Sequence, residues 1–345
     1  MDMRFSVIIP ACGRIGPLKF TLNSVRRSLY SFGNCGEVVL VDDGSEEPLA
    51  REDLLKKSDN QIRILRKENG GSISARLAGL KEARGDVVLF LDSDDLIHPA
   101  KLDAHYAAHS REDVDAVYDD ISEVRLLENY EAEFTGGWTL PLAKNGIDLL
   151  LKIQPLPHGI SFKRSYLLKT LEEPLIPPFR KFDWVGDVWN YYNMLIAPPR
   201  FAKIHRPLTA VGPHTDFRFS RNWERLAVEA LLLVEAFVQR CPIEPSTIEA
   251  RIAVGETAFD SWRRLPRDFP PVFADRLLSV WRHSPRGPIK CLGGKWFSFL
   301  AALVGPEMAA KIMKLRNHSY SSCRTIDPTA LKKLLTRLDS HESLW

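Results

Sequence analysis

No two cysteines in this chain stand in C-x-x-C spacing. The five present, Cys12, Cys35, Cys241, Cys291 and Cys323, are scattered, which argues against a zinc site and a disulfide framework and suits a reducing compartment. Long apolar runs are missing as well. The longest candidate, Trp296 to Val304, falls far short of the roughly 18–20 residues of a membrane span. No charged leader with a cleavable apolar core precedes Phe5-Ser6-Val7-Ile8-Ile9-Pro10, so no secretory signal is expected. The expected location is cytoplasmic, with peripheral contact at the inner face of a membrane as an addition argued below. A net charge of only +3, with no recognised nucleic-acid module, gives no reason to expect a nucleic-acid partner.

What is present is a repeated strand–helix rhythm. Strand patterns cover 5–10, 37–41, 62–65 and 86–91, with helical patterns through 18–29, 49–57 and 73–83. Such alternation with short connections predicts a mostly parallel sheet covered by helices. In such sheets ligands collect beyond the carboxyl ends of the strands. Three of those ends carry polar loops: Ala11–Arg14, Asp42–Ser45 and Asp92–Asp95. The last follows the apolar run Val88-Leu89-Phe90-Leu91 and places three carboxylates within four positions. Crowded carboxylates repel unless a cation or hydrogen-bond donors neutralise them. A hard divalent cation, which prefers oxygen ligands and shares them with phosphates, is one answer. A strand-end turn in which Asp92 or Asp94 caps the helix near Pro99 is the other. For Asp42-Asp43-Gly44-Ser45 the plain alternative is an Asx turn.

Taken together, four stretches give the chain a family likeness. They are Phe5–Pro10, Val41-Asp42-Asp43-Gly44-Ser45, Glu68-Asn69-Gly70-Gly71-Ser72-Ile73-Ser74-Ala75-Arg76 and Gly85–Asp95. In order and spacing, residues 5–127 resemble the donor-binding half of a family 2 glycosyltransferase. The loop after Pro10 departs from the usual pattern, reading Ala-Cys-Gly-Arg, and Leu77 stands where the family often has Asn. The resemblance implies an α/β GT-A fold, a mostly parallel sheet sandwiched by helices, followed by an α-helical C-terminal region. The expected domains are 1–220 for the catalytic fold, divided into a nucleotide-sugar half (1–127) and an acceptor half (128–220), and 221–345 for the helices.

The resemblance also implies an activity: transfer of a sugar from a nucleotide diphosphate sugar to an acceptor hydroxyl, by a metal-assisted single displacement with inversion. It assigns donor binding to Pro10, Ala11, Asp42, Asp43, Arg76, Asp92 and Ser93, with a UDP-sugar favoured. It assigns the metal, Mg²⁺ or Mn²⁺, to Asp94, with Asp92 and His214 as further candidates; Asp95 is open between support and a helix cap. The family's Glu-Asp element reads Gly186-Asp187 here, so Asp187 inherits the role of base toward the acceptor, with Asp183 one turn earlier as its competitor. Trp138, in a loop pattern, and Trp184 and Trp189 are the candidate acceptor platforms, because aromatic faces stack on sugar rings; helical spacing assigns most aromatics of that segment to packing. The expected acceptor is a glycan, a lipid-linked saccharide or another hydroxyl, in polysaccharide or glycoconjugate synthesis. A catalytically inactive sugar-nucleotide-binding protein is the rival reading, kept open by Gly186. A nucleotidyltransferase is more distant, since Ala11–Arg14 is too sparse for its Gly-rich basic loop.

Past residue 220 the likeness gives no guidance. Helical patterns occupy 223–238, 245–263, 271–281, 294–304, 306–316 and 328–339, and the charge balance of 221–345 is +6 against −3 for the rest. Between residues 276 and 316 the positive charges face Glu307 alone, around the apolar stretch Trp296–Val304. A basic, aromatic-bearing amphipathic segment suits an anionic membrane surface; a helical subdomain with a basic outer face is the plain alternative.

Overall fold

The computed structural model describes residues 3–51, 54, 60–212 and 222–339. By internal contacts the chain divides into one unit of Met1–Pro174 with Pro178–Asp216 and another of Leu175–Pro177 with Phe217–Trp345.

The first unit opens with β1 (Phe5–Ala11), α1 (Ile15–Ser31), β2 (Gly36–Asp43), β3 (Ile62–Lys67), α2 (Ser72–Glu82) and β4 (Val87–Phe90). These give the parallel run β3-β2-β1-β4. Strands β1, β2 and β4 are buried along nearly their whole length because helices cover both faces. Leu18, Leu22, Val25 and Leu29 of α1 pack on Phe5, Val7 and Ile9 in one continuous core. Of the helix expected over 49–57, a single 3₁₀ turn, Leu49–Arg51, is described, and most of the remainder lies outside the described residues.

The chain continues through β5 (Leu96–Ile97), α3 (Lys101–Arg111), β6 (Ala116–Leu126), β7 (Ala132–Trp138), the short α4 (Gly146–Asp148), β8 (Ile160–Lys163), α5 (Arg164–Leu171), α6 (Gly186–Met194) and β9 (Phe201–Ala210). These extend the sheet beyond β4 as β8-β6-β9-β5, with β7 paired antiparallel to β6. The pairings β4–β8, β8–β6 and β9–β5 are antiparallel, and β6–β9 is parallel. Trp138 therefore closes a strand rather than sitting in a loop.

The second unit is helical: α7 (Trp223–Arg240), α8 (Ile248–Arg264), α9 (Pro271–Arg282), α10 (Lys295–Val304), α11 (Pro306–Lys314) and α12 (Pro328–Asp339). An aromatic cluster holds its centre. Phe259 lies 4.5 Å from Trp281, 5.5 Å from Trp262 and 6.0 Å from Phe297, ring centre to ring centre. No helix among the described residues is long and apolar enough to cross a membrane.

Candidate active site

Parallel pairing sets four strand ends side by side. Ala11 is level with Asp42, Asp43 with Lys67, and the Leu91 amide donates to Ile8 O at 2.9 Å. The polar loops beyond them therefore share one edge of the sheet.

Asp42 is the rim's internal staple. It is fully buried and accepts from the Ser45 and Leu49 amides at 2.9 and 3.1 Å and from Arg66 at 2.7 Å. Burial alone would raise its carboxyl pKa, but these donors outweigh burial and hold it below the usual range. Direct donor contact was expected at Asp42; here no oxygen is left facing solvent, because the turn it closes consumes both. The Gly13 amide donates to Ser45 Oγ at 2.9 Å and so ties the loop after β1 to the same turn. Asp43 binds Lys67 Nζ at 2.7 Å and accepts from the Gly70 and Gly71 amides at 2.9 and 2.8 Å. It thereby fixes the approach to α2.

At the head of α2 the chain passes through Gly71 in the left-handed region, φ 91°. A Cβ there would stand 1.8 Å from Asp183 Oδ2. Asp183 instead accepts from the Ile73 amide at 3.3 Å, one of the otherwise unpaired donors of the first turn of α2. Burial raises the Asp183 carboxyl above its usual range. The competitor for the base role is thus engaged as a helix cap supplied from 110 residues away in sequence.

Arg76, one turn into α2, is almost wholly buried. It donates from Nη2 to Asp92 Oδ1 at 2.6 Å and from Nη1 to Asp187 Oδ1 at 2.5 Å. Burial works against its charge, yet the carboxylates of Asp187 and Asp92 raise its pKa. Asp92 and Asp187 keep 33% and 40% of their side chains exposed, so each turns an edge to solvent. Crowding by protein raises the Asp187 carboxyl above its ordinary value, Arg76 opposes this and Asp92 adds to it. Gly186 matters for closeness: a Cβ on it would fall 3.1 Å from Ser72 Oγ and 3.5 Å from Arg76 Nη1. The glycine lets α6 close on the head of α2.

The other carboxylates of the opening motif diverge. Asp94 pairs with Arg14 at 2.9 Å on the exposed rim. Asp95 is not the cap of α3, whose Leu102 amide donates to Ser28 Oγ at 3.3 Å. It accepts from the Gly212 amide at 2.9 Å and faces His158 Nδ1 at 3.3 Å, joining the end of β9 to the turn before β8. His158 is fully buried, donates from Nε2 to Ala210 O at 3.1 Å, and is held neutral by burial, with its pKa pulled down to about 4.

Among the aromatic candidates, Trp138 is exposed and Trp184 is half-buried. Trp189 is fully buried, which removes it as an acceptor platform. Its position on α6 faces the core, as helical spacing assigns to most aromatics of that segment. His214 lies outside the described residues. Pro10 and Ser93 are partly exposed, and Ala11 is nearly buried.

Beneath the acceptor half lies a network that sequence reasoning missed. Lys101, His105 and His109 line up at every fourth position of α3 and meet Asp119 of β6, Ser161 of β8 and Thr209 of β9. Asp119 accepts from Lys101 Nζ, from His105 Nε2 at 2.8 Å and from Thr209 Oγ1 at 2.5 Å. Ser161 Oγ stands 2.7 Å from His105 Nδ1 and 3.1 Å from His109 Nε2. Burial pulls both histidines down to about 4. The four-residue repeat of polar side chains was the available signal; the strands that receive it carry no recognisable pattern.

Among the described residues no group of three or more His, Cys, Asp or Glu side chains is set to hold a metal. Asp92 and Asp94 are each paired to an arginine yet keep 33% and 29% of their side chains exposed, the donor chemistry of an ion that would draw its remaining ligands from diphosphate and water.

The first unit is a GT-A nucleotide-sugar transferase fold, its polar site at the carboxyl ends of the parallel strands. Residues 6–165 match the model described as "Glycosyl transferase family 2", and the domain they form belongs to that family. An "uncharacterized glycosyltransferase" of Rickettsia felis is 34% identical over 102 residues, 30% of this chain and 16% of the relative. The "Minor teichoic acid biosynthesis protein GgaA" of Bacillus subtilis is 34% identical over 106 residues, 30% of this chain and 24% of the relative. The chain thus spans only a small part of these relatives. Among solved structures, S. aureus TarS 1–349 superposes with a TM-score of 0.61 at 16% identity, covering 91% of this chain and 90% of that fragment; the same fragment has also been solved with UDP-GlcNAc and with UDP.

Proposed function

We propose that this site transfers a sugar from a nucleotide diphosphate sugar, a UDP-sugar, to an acceptor hydroxyl. The observation that carries the reading is Asp187: a partly open carboxylate with a raised pKa, held by Arg76 opposite Asp92 at the strand ends. A general base must take up a proton in the reaction, and a carboxylate whose pKa is lifted above its ordinary value is a stronger proton acceptor than an ordinary aspartate. Asp187 accepts the proton of the acceptor hydroxyl while that oxygen bonds to the anomeric carbon. The bond from that carbon to the β-phosphate oxygen breaks, its electron pair leaves with the nucleoside diphosphate, and one displacement inverts the centre. Arg76 orients both carboxylates. Pro10, Ala11, Asp43 and Ser93 line the donor side, while Trp138 and Trp184 offer faces to a saccharide. Asp94, with Asp92 beside it, would hold Mg²⁺ or Mn²⁺. When bound, such an ion neutralises charge that develops on the diphosphate.

The acceptor is a glycan, a lipid-linked saccharide or another hydroxyl compound. The UDP-GlcNAc bound by TarS favours a UDP-sugar donor, and the likeness to a teichoic acid biosynthesis protein supports a role in polysaccharide synthesis. The basic stretch 276–316 supports contact with a membrane surface. The test is release of nucleoside diphosphate from a panel of nucleotide sugars, with and without Mn²⁺, by wild type and Asp187→Asn. The expected loss is about 100-fold or more, the scale of a removed general base. Unchanged turnover by the variant removes Asp187 from the reaction, and donor binding without turnover by the wild type returns the non-catalytic reading.

A further inference from the structure

We infer that the α10–α11 hairpin docks the chain on an anionic lipid surface. Helix α10 buries Phe297 and Ala301, and α11 buries Ala309 and Ala310. A surface helix normally turns charged residues to water on its other side. These two turn out apolar ones. Trp296, Phe299 and Leu303 on α10 are 83%, 62% and 67% exposed, and Met308, Ile312 and Leu315 continue the ridge through and just past α11. The spacings of three, four and seven residues put each trio on one helical face. A contiguous exposed apolar face of this kind marks an interaction site.

The charge around the ridge selects the partner. Lys290, Lys295, Lys311 and Arg316 are exposed and carry no ion pair among the described residues. From 276 to 326 the only acid is Glu307, and Arg282 takes it at 2.5 Å. The cations at the start of the 276–316 stretch are absorbed by the fold. Arg276 binds Glu235 at 2.6 Å, and Arg286 stacks 3.5 Å over the Trp281 ring. The docking face therefore narrows to residues 290–316. A second copy seated on it would bring like charges together, whereas a bilayer offers apolar chains to the ridge and anionic headgroups to its cationic border. At ten residues, α10 is about 15 Å long, so it lies in the interface and does not cross it.

Co-sedimentation of the full chain with vesicles of phosphatidylcholine, alone or mixed with phosphatidylglycerol, tests this. The wild type is expected to bind the anionic vesicles at least tenfold more tightly, and less so in high salt. Trp296→Glu with Leu303→Glu, and separately Lys290→Glu with Lys295→Glu, should each cost about tenfold or more. The charge variant touches no buried side chain and carries the test if the apolar one misfolds. Equal binding by wild type and variants, or no binding to either vesicle, overturns the inference. So does a concentration-dependent dimer in light scattering that Trp296→Glu makes monomeric, which would give the face to a second copy.

Discussion

Arg76 donates to Asp187 at 2.5 Å across 111 residues of sequence, and its other nitrogen holds Asp92 at 2.6 Å. One buried cation thus sits between the carboxylate at the strand end and the carboxylate proposed as base. This relation sets the proton affinity of Asp187: burial raises it, and Arg76 restrains the rise.

Replacing Arg76 with Gln removes the restraint, so the Asp187 pKa should climb further. Because the base works only when ionised, the acid limb of kcat/KM should move to higher pH, by roughly one unit or more for a lost neighbouring charge. A pH–rate profile of the variant checks the direction. A limb at the wild-type pH would separate Arg76 from the titrating group.

Asp183 should behave differently from Asp187. Asp183→Ala takes a cap from α2, with an expected cost of about 1 kcal/mol in stability, while the pH–rate profile keeps its shape. Thermal unfolding beside kinetics distinguishes the two aspartates.

Asp94 and Arg14 should move metal activation in opposite directions. Asp94→Asn removes a proposed oxygen ligand and should raise the Mn²⁺ concentration for half-activation about tenfold or more. Arg14→Ala frees Asp94 from the ion pair at 2.9 Å and should lower it. Titration of activity with Mn²⁺ reads both, and a shift of both variants in the same direction would end the assignment.

Stability should fall on mild acidification. His105, His109 and His158 have an ordinary pKa of 6.5 and are held at about 4 in the fold. Above pH 6.5 both states leave them neutral. Between 6.5 and 4 the unfolded chain takes up protons that the fold refuses, so each contributes up to about 1.4 kcal/mol of loss per pH unit. Urea unfolding at pH 7.5, 6 and 5 should show this drop, and His109→Gln should flatten it.

Much of the donor half was legible because its information is local. Four strand ends, their polar loops and the glycines between them follow from short apolar runs and turn residues, and the family likeness rests on those same stretches. The helices of the second unit were likewise readable from apolar periodicity. The acceptor half was less so, and β5, β6 and β7 carry the reason: their pairing depends on partners distant in sequence, with bulges where β6 pairs with β7 and with β9.

The sequence by itself determined that Asp92, Asp94 and Asp187 are present in a family arrangement, and that α10 and α11 are apolar helices in a basic setting. Only the tertiary structure decided what each group does with its charge. It spent Asp42 on a turn, Asp183 on a helix cap and Asp95 on the end of β9. It buried Trp189, left Trp138 at the end of a strand, and aimed Arg76 at two carboxylates together. The physical reason is that a carboxylate's function depends on which donors reach it and how much water it keeps, and both are fixed by contacts between segments far apart in the chain.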